Sequence, residues 1–239
     1  NLDMNNPLYP IFCRLDNLRM LVVGAGEVGE EKLRFILKSS PNADITIVAP
    51  WMGDDLKALL DQFPKTERGE WVITPIQQKS KAGKQIDAEH TIEPKISKGQ
   101  LRAGRVRYYA RAFTAKDVTG YDLIVAATNL EVVNHAVHRA AKKYRRLVNV
   151  ADTPDLCDFY LGSIVTRGPL KVAISTNGQS PTFAKRFRQW LEKNLPVEEA
   201  PQLMENLKIF RDRLSGDFRA KVIALNDLTK GLLAESDQH

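Results

Sequence analysis

Short apolar runs alternate with amphipathic stretches through the first 150 residues. Residues 20–23 (MLVV) read as a strand. Behind them, Gly29, Leu33, Ile36 and Leu37 fall on one helical face, a pattern that ends near Ser39-Ser40-Pro41. Residues 44–49 (DITIVA), closed by Pro50, read as a second strand, and a helix follows at about 54–62. Residues 71–76 (WVITPI) read as a third strand, and Pro75 within it favours an edge or a terminus. Two more strands are expected at 107–113 (RYYARAF) and 121–127 (YDLIVAA). The second is apolar nearly throughout, as a strand covered on both faces should be. Thr128-Asn129-Leu130-Glu131 fits a capping box. The helix it opens buries Val133, Ala136, Val137, Ala140, Ala141 and Tyr144. A last short strand, 147–150 (LVNV), carries one polar intruder, Asn149. Strand and helix in alternation predict an α/β fold built on a parallel, doubly wound sheet.

The pattern changes beyond residue 150. Residues 160–166 and 170–175 flank Arg167-Gly168-Pro169 as a strand pair, and Ser180-Pro181 opens a helix running to about Asn194. Leu195-Pro196 breaks it, and two further helices are expected over 198–235, separated by Ser215-Gly216. Residues 77–106 are polar, rich in Lys and Gly, and without periodicity, so they read as an inserted loop or hairpin. The expected organisation is a nucleotide-type domain over 1–150, a small α+β domain over 151–195 and a helical region over 196–239.

Composition narrows the class. An apolar fraction of 43% and a charged fraction of 27% are those of a soluble globular chain, and no run approaches a membrane span. The N-terminal stretch has no basic segment followed by an apolar core, which reads against a secretory signal. Cys13 and Cys157 stand far apart and in no CxxC pattern, which excludes a disulfide scaffold or a zinc ribbon and points to a reducing, cytoplasmic setting. The net charge of +6 is clumped in Arg139, Lys142, Lys143, Arg145 and Arg146, in Arg102, Arg105, Arg107 and Arg111, and in Lys185, Arg186 and Arg188. Solvated faces explain such clusters, and so does an anionic ligand. Nucleic acid is not expected, because no RNP sequence, finger spacing or aromatic–basic interleaving is present.

Gly24, Gly26 and Gly29 satisfy G-x-G-x-x-G directly after a strand and at the start of a helix, which is the context of a Rossmann dinucleotide site. The acid expected at the end of the second strand, for the adenosine ribose, is absent; Val48-Ala49-Pro50-Trp51 stands there. No Arg is present to favour a 2′-phosphate, so NAD is expected over NADP. His135 and His138 are three apart on a helix, but the apolar face places both on the solvated side, and no metal site is expected. Asp152, in Ala151-Asp152-Thr153-Pro154, reads first as an ordinary turn residue, with a reactive carboxylate at the end of a strand as the lesser alternative.

Five stretches in order resemble one family. They are Leu8-Tyr9-Pro10-Ile11-Phe12-Cys13, VVGAGEVGEEK at 22–32, AATNLEVVN at 126–134, NVADTP at 149–154 and VAISTNGQSP at 172–181. Together they look like the precorrin-2 dehydrogenase/ferrochelatase module of sirohaem synthesis, in its stand-alone form because no methyltransferase segment follows. The resemblance implies NAD-dependent oxidation of precorrin-2 to sirohydrochlorin, with iron insertion in some members and Fe2+ as the substrate. It implies a homodimer formed through the second domain. It places the catalytic aspartate on Asp152, the phosphate and adenosine contacts on Gly24, Gly26, Glu27, Val28, Gly29, Pro50 and Trp51, and Thr128 near the nicotinamide. The family usually carries Ala where Gly29 stands. A Ser-Ser-Gly-Gly stretch that can be phosphorylated appears here as Ser175-Thr176-Asn177-Gly178. The basic clusters would then hold a tetrapyrrole polycarboxylate. The rival expectation is a non-catalytic NAD-sensing module.

Overall fold

The computed structural model describes residues 6–73 and 103–230. Pro75, His90, Arg102, His239 and most of the 77–106 stretch lie outside the described residues. A six-stranded sheet has the order β3-β4-β2-β1-β5-β6, with β1 at Arg19–Val23, β2 at Asp44–Ala49, β3 at Trp71–Ile73, β4 at Gly104–Ala110, β5 at Leu123–Ala126 and β6 at Leu147–Val150. Helix α1 spans Glu27–Ser39, α2 Asp54–Leu60 and α3 Glu131–Lys143.

The two-residue period of β1 sorts the core. Met20 and Val22 pack with Leu33, Ile36 and Leu37 of α1 and with Leu56, Leu59 and Leu60 of α2. Leu21 and Val23 face the other way, onto Val137, Ala140 and Ala141 of α3. Each such side chain, fully withdrawn from water, contributes on the order of 1.5–3 kcal/mol. Helices on both faces make the sheet doubly wound, as expected.

Four local expectations are corrected. β3 runs antiparallel to β4, pairing Trp71 with Val106 and Ile73 with Gly104, so the sheet is not wholly parallel. An edge strand bonds one neighbour only, and its apolar period is served in either direction. Gly104–Val106 belongs to β4 and not to the insert, because these residues pair with β3 on one side and β2 on the other. No capping box opens α3: its N-cap is Leu130, without a side-chain cap, and Thr128 lies two residues upstream. Tyr144 is exposed, because α3 stops at Lys143 and turns the ring out of the apolar stripe.

The chain divides into two compact units, Asn1–Leu161 and Gly162–His239. The second begins with a hairpin, β7 (Ser163–Arg167) and β8 (Leu170–Ile174), turning at Gly168. Helix α4 spans Pro181–Asn194 and packs on β7; Ser180 caps it by accepting the Phe183 N–H at 3.2 Å. Helices α5 (Glu199–Arg213) and α6 (Phe218–Thr229) follow. Among the described residues no helix is long and apolar enough to cross a membrane.

Candidate functional site

Four neighbouring parallel strands, β2, β1, β5 and β6, deliver their carboxyl ends to one edge of the sheet. The loops there carry Pro50 and Trp51, Gly24 to Gly29, Thr128, and Asp152. Between β1 and β5 the winding reverses, and that is where an open α/β sheet leaves a crevice.

The glycine loop is built by contact with its neighbours. Gly24 has φ of 107°, donates its N–H to Val48 O at 3.0 Å, and lies so close to the β5 loop that a Cβ would stand 2.3 Å from Ala127 O. Gly29 is equally confined: its Cβ would stand 2.4 Å from Gly24 O. Only glycine permits this approach of helix to strand, so the alanine of the family pattern requires a backbone shift here. Gly26 differs. Its Cβ would meet only the rim of Trp51, at 3.4 Å, so the space over it is open on the cleft side. Gly26 is the N-cap of α1 and no side chain caps the helix, which leaves its first N–H groups available to an anion. Glu27 is exposed in that first turn, and Val28 packs against the core. A pyrophosphate fits this cradle, whose N–H groups α1 supplies.

The β2 loop is fastened to the glycine loop. Gly53 donates its N–H to Ala25 O at 2.8 Å, and Trp51, 62% exposed, overhangs Gly26. Its ring offers an apolar face where a nucleotide site more often offers an acid.

The β5 loop is held by a residue the sequence reading passed over. Asn134, on α3, is 8% exposed and forms three hydrogen bonds with Thr128. Its Oδ1 accepts the Thr128 N–H at 3.2 Å and hydroxyl at 2.8 Å, and its Nδ2 donates to Thr128 O at 3.0 Å. The signal was present: Asn134 stands three and seven residues before Val137 and Ala141, on the apolar stripe, where an unpaired amide is costly.

Asp152 ends the β6 loop with φ of 57°, in the left-handed region. It is exposed, and among the described residues its carboxylate takes no hydrogen bond or ion pair. The segment after it folds back along β6. Cys157 Sγ accepts the Val150 N–H and donates to Val150 O, both at 3.2 Å. Asn149 Nδ2 donates to Phe159 O at 2.8 Å, and Asp158 accepts the Val148 N–H at 3.1 Å while pairing with Lys142. The intruder Asn149 is therefore a buried tether. Burial pushes the Cys157 thiol up from its ordinary value.

Ser175-Thr176-Asn177-Gly178 lies in the second unit, where Ser175 Oγ accepts the Asn177 N–H and Thr176 Oγ1 the Ser180 N–H, each at 3.2 Å. His135 and His138 are both half-buried, not fully solvated: His135 pairs with Glu131 at 3.4 Å, and burial, with Lys142 beside it, holds the His138 imidazole below its ordinary value. Among the described residues no group of three or more His, Cys, Asp or Glu is placed to hold a metal ion. Much of the basic charge is already paired: Arg111 forks onto Asp117, Arg107 holds Asp44 and Glu70, and Arg188 holds Glu192. Arg105, Arg139, Lys143, Arg145 and Lys185 have no acidic partner among the described residues.

Siroheme synthase of Pseudoalteromonas atlantica is 30% identical over 212 residues, covering 89% of this chain and 36% of that protein. Siroheme synthase 3 of Aeromonas hydrophila is 33% identical over 187 residues, covering 78% and 31%. The chain thus spans about a third of the length of the curated relatives it matches. Among solved structures, "SirC, precorrin-2 dehydrogenase" superposes with a TM-score of 0.60 at 21% identity over 92% of this chain and 89% of that one, which shows a shared fold. Residues 167–194 match the family model "Sirohaem biosynthesis protein central". Residues 11–163, well over half of the chain and the whole of the edge just described, match the model "Putative NAD(P)-binding", and the chain belongs to that family.

Proposed function

We propose that the protein is an NAD-dependent precorrin-2 dehydrogenase producing sirohydrochlorin for sirohaem synthesis. The observation that carries this reading is the shared edge: an uncapped helix start under an open glycine, with an exposed carboxylate two strands away. Relatives named siroheme synthase and the fold shared with a precorrin-2 dehydrogenase support it.

Gly24, Gly26 and Gly29 shape the cradle, and the first-turn N–H groups at Glu27 and Val28 hold the pyrophosphate. Pro50 and Trp51 form the apolar floor for the adenosine, and Thr128 borders the nicotinamide half. NAD, when bound, supplies the hydride acceptor. The chain's own chemical task is the accompanying proton, and Asp152 is the base that takes it. Insertion of Fe2+, as a substrate, releases the two pyrrole N–H protons, and the same carboxylate serves there. Residues 1–150 bind the dinucleotide, 151–195 form the dimerising and active-site domain of a cytoplasmic homodimer, and 196–239 form the helical region. Ser175 or Thr176 is the position a phosphate would take.

The test is direct. Precorrin-2 and NAD are mixed with the protein and the sirohydrochlorin absorbance is followed. Growth of that band in proportion to protein is expected, and no conversion at any concentration would instead favour a non-catalytic NAD sensor.

A further inference from the structure

We propose that Asn134 is a positioning residue for the nicotinamide half of the dinucleotide, acting through Thr128; this rests on the dinucleotide reading of the cleft. A dinucleotide in a fold of this kind lies across the crevice at the winding reversal, with its pyrophosphate on the first strand–helix turn and its adenosine ribose at the end of the second strand. Here those are the Gly24–Gly29 loop and the Pro50-Trp51 end of β2, so the other half of the molecule lies over the β5 loop.

Two parts of that loop are held independently. Ala127 is fixed to the sheet, because its N–H donates to Val23 O at 2.8 Å, and Gly24 beside it is fixed by its own bond to Val48 O at 3.0 Å. The phosphate turn therefore does not depend on Asn134. The segment from Thr128 to Leu130 does. Every polar group of Thr128 is engaged: N–H and hydroxyl point at Asn134 Oδ1, the carbonyl accepts from Asn134 Nδ2, and Oγ1 accepts the Leu130 N–H at 3.1 Å. The orientation of the amide is fixed by this network, since a flipped group would set the Thr128 N–H against Nδ2 and the Thr128 carbonyl against Oδ1. Thr128 consequently has no donor left for a cofactor. Its contribution is a rigid shelf, and the buried amide of Asn134 is what makes it rigid.

Two soluble probes separate the halves of the site: NADH, and ADP-ribose, which lacks the nicotinamide. Asn134→Leu is expected to weaken NADH binding about 5- to 10-fold while ADP-ribose affinity stays within about twofold. Thr128→Val, which removes the hydroxyl from a half-buried position, is expected to shift NADH in the same direction, and Thr128→Ser, which keeps it, to restore most of the affinity. Should Asn134→Leu fail to fold, the Thr128 pair carries the test alone. Equal losses for both probes, or unchanged NADH binding in a folded variant, overturn the assignment. A parent protein that binds neither probe removes the dinucleotide reading itself, and a parent that binds both while the variants lose neither removes only the role of Asn134.

Discussion

Asp152 adopts φ of 57°, where Asn and Gly are the other residues that fit at low cost. Asp152→Asn and Asp152→Gly therefore both keep the turn and both remove the carboxylate proposed as the base. Precorrin-2 oxidation is expected to fall by about 100- to 10,000-fold in each, with NAD affinity and thermal midpoint unchanged. Asp152→Ala is expected to lose a further ~1–2 kcal/mol of stability, since alanine pays the left-handed cost. Normal turnover by the Asn variant would leave Asp152 a turn former. The glycines permit an equally sharp contrast. Gly26→Val has open space to enter and is expected to fold normally while losing NAD binding in a titration. Gly29→Ala meets Gly24 O and is expected to cost about 1–3 kcal/mol by denaturant titration. The glycine loop and the Asp-Thr-Pro turn were legible from spacing, because both are local chemistry; the base role of Asp152 was not, and came only from the family resemblance. Asn134 was not read, because Thr128 and Glu131 match the spacing of a capping box. The helix in fact starts later, and the threonine hydroxyl turns to the amide six residues on, a choice that depends on where the strand sets the chain down.

The return segment along β6 acts as one element. Cys157→Ala leaves both backbone groups of Val150 without their thiol partner and is expected to cost about 0.5–1.5 kcal/mol; Cys157→Ser, which keeps donor and acceptor, less. The raised thiol has a sign that can be measured. Its stabilisation is complete below the unfolded thiol value of about 8.5 and is lost as pH rises through the higher folded value. The unfolding midpoint is expected to drop above about pH 8.5 in the parent and more shallowly in Cys157→Ala. Alkylation of the folded protein is expected to mark exposed Cys13 first. Apolar periodicity located β1, β2, β5, β6, α1 and α3 to within a few residues, since each buries a face against the sheet. It was silent on the direction of β3 and on the start of β4, because an edge pairing places no second demand on the pattern and Gly104-Arg105 interrupts the apolar signal.

For the whole molecule, the excess of six positive charges is carried partly by residues that already have partners. If the remaining cations steer a polycarboxylate tetrapyrrole, its association rate is expected to fall as ionic strength rises, because exposed charges are screened beyond about 8 Å at physiological salt. A rate constant flat from low to high salt in stopped flow would sink the steering role. The fold class and the strand edge carrying the site were readable from the chain. The pairing that occupies Arg107 and Lys142 was not, since Asp44 and Asp158 stand 63 and 16 residues away along the chain. β6 forms one margin of the sheet, and the segment behind Asp152 occupies its open hydrogen-bonding side at Val148 and Val150. An unoccupied strand margin is a template on which other chains polymerise. The segment that follows Asp152 thus also covers the margin on which strands of neighbouring molecules would add. Variants that loosen this loop are therefore expected to scatter light and precipitate at concentrations where the parent stays clear.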